Sequence, residues 1–288
     1  VNVVGVPSKR LVWKEAAGVV AAITPWNFPL QINLAKVIPA LAAGCTVILK
    51  PAPDTPWTAT FIGKMVAEHT DIPAGVFNVV TSENPAVLGD MLTGDPRVDV
   101  VSFTGSTGIG KHIMKRGADT VKKVFLELGG KSAHIILDDA DINFAAFMCI
   151  SVCFNAGQGC ALATRLLAPR SHYEKIVEVA KNTFDSVKLG DPLSREQFMG
   201  PLVNKRQQQR VLQYIEQGKA EGARLVCGGV VPAGLEQGCY VAPTIFADVR
   251  NDMTIAQEEI FGPVLCIIPY DTEEEAMQIA NDSIYGLS

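Results

Sequence analysis

Short apolar runs alternate with amphipathic runs along the first half of the chain. The apolar runs have the length and the β-branched residues of strands, whereas the amphipathic runs repeat apolar residues at helical spacing. The pattern predicts five strands, at residues 18–24, 46–49, 76–80, 98–103 and 124–128. It predicts helices between them, at residues 30–43, 55–68, 85–92 and 107–116. Strands that alternate with helices are typical of an α/β fold with a parallel, helix-covered sheet, which binds its ligand at the carboxyl ends of the strands.

A second unit is predicted from residue 129 onwards. A strand covers residues 133–137, Asp141 caps a helix that runs to about residue 154, and further helices cover residues 171–184 and 204–219. Residues 1–16 have little helical periodicity and are predicted to be an extended segment. The sequence therefore predicts a segment at 1–16, an α/β unit at 17–128 and a second α/β unit at 129–288, without an internal repeat.

The composition is that of an ordinary globular protein, with 48% hydrophobic and 19% charged residues. The net charge is −5 and both signs are interspersed, so we expect neither a nucleic-acid partner nor a membrane-surface partner. The longest apolar stretches are interrupted well before the roughly 18 residues that a membrane span needs.

Cysteine and histidine usage argues against disulfides and against a metal site. The seven cysteines are Cys45, Cys149, Cys153, Cys160, Cys227, Cys239 and Cys266. Their odd number and irregular spacing in a chain of this length favour a reducing compartment, so a cytoplasmic protein is expected. The four histidines lie far apart and form no ligand pattern with the cysteines, so we expect no zinc.

The two ends of the chain look cut. The chain begins without Met and stops at residues 285–288, directly after a helical pattern. We therefore expect a truncated chain, and a targeting segment ahead of residue 1 stays open.

Cys160 is the candidate nucleophile. It ends a loop of small residues, 154–160, with the sequence FNAGQGC, so a substrate and a cofactor have room to approach the sulfur. Taken alone, a buried structural cysteine is at least about four times as frequent as a catalytic one. The other six cysteines lie in apolar periodic stretches or ordinary loops, and they are predicted to be structural.

Four separated segments resemble motifs of the aldehyde dehydrogenase superfamily, in the same order. The pattern Asn155-x-Gly157-Gln158-x-Cys160 resembles its nucleophile loop. Residues 25–29 (PWNFP) resemble its oxyanion segment, 126–131 (LELGGK) its general-base segment and 258–263 (EEIFGP) its ribose-binding segment. One such motif is weak evidence, whereas four collinear motifs are specific. The resemblance extends across essentially the whole chain and implies an incomplete Rossmann-like cofactor domain at 17–128 and an incomplete catalytic domain at 129–288.

The resemblance assigns catalytic roles to three residues. Cys160 forms a thiohemiacetal and then a thioester, and Asn27 donates its side-chain amide to the oxyanion, beside the Cys160 backbone N–H. Donors of this kind lower a barrier by about 2.7–4 kcal/mol. Glu127 activates the water that hydrolyses the thioester, and its place between two leucines at a strand end predicts partial desolvation. Without the resemblance, Asn27 is a turn former and Glu127 a surface carboxylate.

The resemblance also assigns a nicotinamide dinucleotide site. Lys50 holds the adenosine ribose, and Glu259 holds the nicotinamide ribose with Phe261 packing nearby. Residues 103–110 (FTGSTGIG) join a strand to a helix, but their glycines are spaced G-x-x-G-x-G, so a plain turn is the alternative. The further implied cofactor contacts are Gly105, Ser106, Gly110, Trp26 and Leu128. Gln207 and Arg210 are implied near the adenosine end.

Two departures from the family pattern affect these expectations. Many relatives that prefer NAD have a glutamate three residues after the ribose lysine, whereas this chain has Pro53, followed by Asp54. NAD is the expected cofactor, and NADP stays open. Family members are also considerably longer. In their homodimers or homotetramers, the counterpart of residues 1–16 is a bridging strand used in subunit contacts.

Part of a substrate tunnel is predicted on the first helix. Phe28, Gln31, Ile32 and Ala35 are spaced i, i+3, i+4 and i+7, which places them on one helix face. The small Ala35 and the polar Gln31 favour a bulkier or partly polar aldehyde. A core-packing face is the alternative for Ile32 and Ala35.

Three functions are consistent with the sequence. The leading hypothesis is a non-acylating, NAD(P)-dependent aldehyde dehydrogenase that converts a small-molecule aldehyde to its acid. An acylating relative would pass the acyl group to coenzyme A, but such enzymes do not rely on the glutamate at position 127. A truncated, inactive or crystallin-like member is the third hypothesis, which the presence of Asn27, Glu127, Cys160 and Glu259 opposes.

Overall fold

The computed structural model describes residues 9–287, which form two compact units that divide after Glu127. Of the predicted extended segment, residues 1–8 lie outside the described residues. Residues 9–16 are exposed and form neither a helix nor a strand. The predicted bridging role of residues 1–16 in subunit contacts stays a prediction.

The first unit is a five-stranded sheet with helices between its strands. The strands are β1 (Val19–Ile23), β2 (Thr46–Lys50), β3 (Phe77–Val79), β4 (Val100–Thr104) and β5 (Lys123–Glu127). The helices are α1 (Pro29–Ala42), α2 (Pro56–His69), α3 (Pro85–Gly94) and α4 (Thr107–Ala118). The strand order is β3-β2-β1-β4-β5, and every neighbouring pair is parallel. The structure confirms the five strands and four helices predicted from the sequence pattern.

Local sequence explains where these elements begin and what they bury. The helices α1, α2 and α3 each start with a proline, whose fixed φ suits the first helical turn and whose missing N–H would be unpaired there anyway. The central strand β1 is buried from Val20 to Ile23. A strand that is apolar on both faces is typical of the middle of a parallel sheet.

The second unit contains another five-stranded sheet. Its strands are β6 (Ala133–Ile135), β7 (Arg165–Pro169), β8 (Arg224–Cys227), β9 (Thr244–Ala247) and β10 (Val264–Tyr270). Its α-helices are α5 (Ile142–Phe147), α6 (Tyr173–Asp185), α7 (Lys205–Ala220), α8 (Thr254–Gln257) and α9 (Glu273–Asn281). The strand order is β6-β7-β10-β9-β8, with β8 antiparallel to β9 and the other pairs parallel. Both units are α/β, as predicted.

One predicted helix changes its type along its length. Asp141 caps α5 by accepting the N–H groups of Asn143 and Phe144, as expected, but α5 ends at Phe147. The chain continues as a 3₁₀ helix, Met148–Gly157, and leaves helical geometry at Phe154, where ψ is 136°. Helical geometry therefore ends at about residue 154, as predicted, but the part from Met148 onwards is a 3₁₀ helix instead of an α-helix.

Candidate active site

The loop that leads to Cys160 has an unusual backbone. Asn155, Ala156 and Gly157 follow one another in the left-handed region, with φ of 49°, 53° and 74°. A left-handed conformation costs an L-residue roughly 1–2 kcal/mol, so surrounding contacts must stabilise this loop. Cys160 follows three residues later and is half-buried.

Gln158 supplies several of those contacts. Its side-chain Nε2 donates to the Asn155 carbonyl at 2.9 Å, and its Oε1 accepts the Val203 N–H at 2.9 Å. The Asn155 side chain in turn donates to the Gln158 carbonyl at 3.3 Å. The asparagine and the glutamine of the sequence motif therefore tie the loop to itself and to the chain near residue 203.

The same loop packs backbone to backbone against the ribose-binding segment. A Cβ atom on Gly157 would overlap the carbonyl group of Gly262 and the nitrogen of Pro263. Phe261, directly before Gly262, is also left-handed, with φ of 61°. Because both partners are strained and in contact, the positions of the nucleophile loop and of Phe261 depend on each other.

The turn Gly129–Gly130 connects Cys160 with Glu259. A Cβ atom on Gly130 would lie 2.5 Å from the backbone oxygen of Cys160, and one on Gly129 would lie 2.6 Å from the Glu259 carboxyl carbon. The Gly130 N–H donates to Glu259 Oε1 at 3.2 Å. The second unit alone therefore brings together the candidate nucleophile Cys160, the candidate ribose carboxylate Glu259 and the turn between them. Leu128, the residue before this turn, is half-buried.

Helix α7 supports the Glu259 segment, a role that the sequence did not reveal. Gln207 Nε2 donates to the Phe261 carbonyl at 2.8 Å, and an Arg210 guanidinium N–H donates to the Glu259 carbonyl at 2.9 Å. The Tyr214 hydroxyl donates to Glu258 Oε2 at 2.6 Å. These three side chains lie one helical turn apart, so they form one supporting face. An adenosine contact for Gln207 and Arg210 stays a prediction.

In the first unit, the predicted site residues lie at the carboxyl ends of the strands. Since β1, β2, β4 and β5 are parallel, their carboxyl ends lie on the same side of the sheet. Trp26 and Asn27 lie between β1 and α1, and both are half-buried. Lys50 ends β2, and its buried Nζ donates to the Pro51 carbonyl at 3.3 Å. Burial lowers the pKa of Lys50 from its ordinary value.

The turn after β4 joins a strand to a helix, as predicted, and its role as a phosphate loop stays a prediction. Gly105 follows the strand, and its N–H donates to the Glu127 carbonyl at 3.0 Å. A Cβ atom on Gly105 would overlap the Phe103 ring, so a side chain has no room there. Ser106 is the N-cap residue of α4, and the buried Gly110 lies in its first turn. The first N–H groups of α4 are thus placed where a helix N-terminus favours an anion.

Glu127 differs from the prediction. Its side chain is exposed, whereas partial desolvation was expected. The reason is its strand: β5 is an edge strand of the first sheet, so its end is covered on fewer sides than the end of a central strand.

Lys36 on α1 is a charged neighbour of Glu127 that the sequence did not reveal. Its Nζ donates to Ser102 Oγ at 3.0 Å. Burial lowers the Lys36 pKa to about 8, and the charge of Glu127 opposes that shift. A cation therefore accompanies the candidate general base.

The predicted tunnel residues lie along α1 and at the residue before it. Phe28, Gln31 and Ala35 are exposed and Ile32 is half-buried, whereas the core side of α1 is formed by the buried Asn33 and Val37. Ala35 is therefore not a core-packing residue of this unit, which was the alternative considered for it.

Two kinds of feature are absent from the described residues. No group of three or more His, Cys, Asp or Glu side chains in this part of the chain has a geometry that could hold a metal ion. None of its helices is both long and apolar enough to cross a bilayer.

Comparison with known proteins gives consistent results. The model of the aldehyde dehydrogenase family matches residues 5–288. A 3-succinoylsemialdehyde-pyridine dehydrogenase from a Pseudomonas species is 49% identical over 277 residues, which are 96% of this chain and 58% of that protein. This chain thus spans little more than half the length of that relative.

Solved structures are similar over nearly all of the chain. The aldehyde dehydrogenase of Mycobacterium tuberculosis complexed with NAD⁺ has a TM-score of 0.90 and 51% identity, covering 94% of this chain and 56% of that one. A C291A mutant of aldehyde dehydrogenase C from Pseudomonas syringae, complexed with NAD⁺ and octanal, has a TM-score of 0.92 and 44% identity, with coverage of 94% and 56%.

Proposed function

The chain belongs to the aldehyde dehydrogenase family, and on that premise we propose that its protein oxidises an aldehyde to a carboxylic acid. The Cys160 thiolate adds to the aldehyde carbon, which becomes a tetrahedral, oxygen-bearing carbon bonded to sulfur. Loss of a hydride from that carbon leaves a thioester. Water then cleaves the C–S bond, so that the acid leaves and the thiol is restored. The observation that supports this best is the Gly129–Gly130 turn, which lies against both the Cys160 carbonyl and the Glu259 carboxylate.

Two residues of the first unit complete this chemistry. We propose that Asn27 donates its side-chain N–H to the oxyanion of the tetrahedral intermediate, together with the Cys160 backbone N–H. Glu127 removes a proton from the hydrolytic water. Its exposure suits a base that must reach water, and the Lys36 side chain lies near enough for the two charges to interact.

The proposed cofactor is NAD, which supplies the hydride acceptor when bound. Glu259 and Phe261 hold its nicotinamide end, and Lys50 holds the adenosine ribose. The remaining proposed contacts are Trp26, Gly105, Ser106, Gly110 and Leu128. Two positions support a fit between these residues and the dinucleotide. At Gly105 and at Gly129 a side chain would overlap neighbouring atoms, so the backbone stays bare where the cofactor would approach. NADP is the second candidate, since Pro53 stands where many NAD-preferring relatives carry a glutamate.

Substrate and assembly follow from the same proposal. Residues 17–128 form the dinucleotide-binding domain and 129–288 the catalytic domain. Phe28, Gln31, Ile32 and Ala35 line the substrate tunnel, and the exposed Ala35 leaves room for an aldehyde larger than acetaldehyde. The proposed protein is a cytoplasmic homodimer or homotetramer.

The proposal is tested by replacing the nucleophile in the full-length protein. Initial rates are measured with NAD and with NADP across an aldehyde panel, without coenzyme A. Cys160→Ala should abolish turnover and leave dinucleotide binding intact, whereas Cys239→Ala, the matched replacement of another half-buried cysteine, should keep turnover. Full activity of Cys160→Ala would refute the nucleophile assignment, and strict dependence on coenzyme A would refute hydrolysis.

A further inference from the structure

Lys131, whose side-chain nitrogen is buried, comes directly after the Gly129–Gly130 turn. Its side chain is only 1% exposed, and its Nζ has no hydrogen-bond partner among the described residues. Its backbone is fixed, since its carbonyl accepts the Arg165 Nε–H at 2.8 Å. Removing a charge from water costs several kcal/mol unless an opposite charge compensates. A charge on this buried lysine therefore requires an anionic neighbour to compensate it, and that neighbour is stabilised in return.

The neighbours of Lys131 identify that group. Burial lowers the Lys131 pKa, Cys266 on β10 raises it, Arg165 on β7 lowers it, and Glu259 and Glu258 raise it. Glu258 is exposed and already bound by the Tyr214 hydroxyl. Glu259 is half-buried, and the residue next to Lys131, Gly130, donates to its carboxylate.

Burial disfavours the ionised form of the Glu259 carboxylate, and neighbouring groups oppose that effect. Burial raises its pKa, whereas the Gly130 N–H and the charges of Arg210 and Lys131 lower it. Arg210 is exposed, and one of its guanidinium N–H groups donates to the Glu259 backbone carbonyl rather than to the carboxylate. The Tyr285 hydroxyl likewise meets the Glu259 backbone, at its N–H. Of the cations that face Glu259, Lys131 is therefore the one shielded from solvent.

We propose that Lys131 is a positioning residue, whose buried ammonium keeps the Glu259 carboxylate ionised and seated on the Gly129–Gly130 turn. An ionised carboxylate can accept hydrogen bonds from both hydroxyls of a ribose. In a protonated carboxyl group one oxygen carries a proton and acts as a donor, so the group accepts less well from two hydroxyls. This inference rests on the proposed function, in which Glu259 meets the nicotinamide ribose.

The first experiment measures the pair without any ligand. In protein labelled with ¹³C at the lysine Cε, the pKa of Lys131 is followed by NMR in the unaltered protein, in Glu259→Gln and in Glu258→Gln. Because coupling between two charges is reciprocal, Glu259→Gln should lower the Lys131 pKa clearly, and Glu258→Gln, a matched change at an exposed residue, should lower it less. A Lys131 pKa that Glu259→Gln leaves unchanged, or a neutral Lys131 at neutral pH, would overturn the proposal.

The second experiment measures the consequence for the cofactor. NADH affinity is titrated by fluorescence between about pH 5 and pH 8 in the full-length protein with Lys131→Met, Lys131→Arg, Glu259→Gln and the double change Lys131→Met/Glu259→Gln. In Lys131→Met, binding should weaken by up to about tenfold per pH unit below the new, higher Glu259 pKa, and Lys131→Arg should restore the flat profile. Glu259→Gln should bind weakly at every pH, and the double variant should match it.

The outcomes separate this inference from the proposed function. A flat profile in a folded Lys131→Met variant would overturn the positioning role. Absence of NADH binding in the unaltered protein would sink the proposed function, while the NMR measurement still decides whether Lys131 and Glu259 are coupled. If Lys131→Met does not fold, the NMR measurement still tests the proposal, because its variants Glu259→Gln and Glu258→Gln alter only a half-buried and an exposed side chain.

Discussion

The carboxylate of Glu259 lies directly against the backbone of Gly129, so closely that a Cβ atom there would be 2.6 Å from the carboxyl carbon and 2.7 Å from Oε1. The overlapping atoms belong to the far end of a flexible side chain. A methyl group at position 129 would therefore displace the carboxylate and leave the backbone in place.

Gly129→Ala should consequently separate dinucleotide binding from stability. We expect NADH affinity to fall by about tenfold or more, since the Glu259 carboxylate is displaced from its position beside the turn. The free energy of unfolding should change by less than about 1 kcal/mol. The matched control is Gly286→Ala, where an added Cβ meets nothing within 4 Å. A large loss of stability with unchanged affinity would contradict the geometry.

Gly157→Ala should behave in the opposite way. Gly157 is left-handed, with φ of 74°, and its added Cβ would overlap the carbonyl group of Gly262, which is backbone and cannot swing aside. We expect a destabilisation of at least about 3 kcal/mol in urea unfolding. Gly222→Ala shares the left-handed conformation, with φ of 88°, but has open space, so it should cost only about 1–2 kcal/mol. Equal losses for the two variants would show that packing against Gly262 is unimportant.

Arg165 should be one of the most costly residues of the second unit to replace. Its guanidinium donates to the carbonyls of Ile279 and Ala280 at 2.8 Å each, which completes the carboxyl end of α9, as well as to the Lys131 carbonyl. Arg165→Met would leave one buried and two partly buried carbonyls without this donor, at a cost of about 3–5 kcal/mol in denaturant unfolding.

The control for that prediction is an exposed arginine. Arg170 pairs with Asp271 at 2.6 Å, but both side chains are 59% exposed. Arg170→Met should therefore cost less than about 1 kcal/mol. A comparable loss at both arginines would contradict the capping role of Arg165.

The sequence predicted the first unit far better than the second. In the first unit every strand pairs in parallel and is a short apolar run separated from the next strand by a helix, so the alternation can be read from the sequence. In the second, β10 pairs with β7 about a hundred residues earlier, with Cys266 opposite Arg165, and β9 has only four residues. Periodicity in a short window cannot report such distant pairing, and these strands were missed.

The candidate site divides in the same way. The sequence pointed to Cys160, Glu259 and Lys50 as candidates because their motifs are local. The supporting residues Lys36, Lys131 and Arg165 were not, because their importance comes from burial. A lysine or arginine in the sequence is by default a surface residue, and only packing shows that these side chains are shielded.

Lys36 gives the first unit a distinct dependence of stability on pH. Its pKa is about 8 in the folded protein, against an ordinary value of 10.5, because burial disfavours the charged form. Between those values the unfolded chain binds more protons, so this group makes stability rise as the pH increases through that interval. Lys36→Met should lack this rise, and urea unfolding at several pH values between about 7 and 10 measures the difference.

The charge of Glu127 provides the check on that assignment. Glu127 raises the Lys36 pKa, so Glu127→Gln should shift the start of the rise to lower pH. Parallel stability curves for the unaltered protein and Lys36→Met would contradict the assignment.

The reactivities of the seven cysteines should differ widely. Cys45, Cys149, Cys153 and Cys266 are buried, whereas Cys160, Cys227 and Cys239 are half-buried. Among the half-buried thiols, burial raises the pKa of Cys227 to about 11, so only about one in a thousand of its sulfurs is ionised near pH 8. Burial excludes four of the thiols and the raised pKa excludes Cys227, which leaves the half-buried Cys160 and Cys239 as the candidates for rapid alkylation.

Iodoacetamide should alkylate Cys160 before Cys239, because only Cys160 lies in a strained loop of small residues against the Gly129–Gly130 turn. NAD should change the rate at Cys160 and leave the rate at Cys239 unaltered, since the proposed nicotinamide contacts, Glu259 and Phe261, adjoin the Cys160 loop. Quenched labelling followed by peptide mass spectrometry measures both rates in one sample, and Cys160→Ala should remove the fast phase. Equal rates at the two thiols, insensitive to NAD, would contradict the choice of Cys160 as nucleophile.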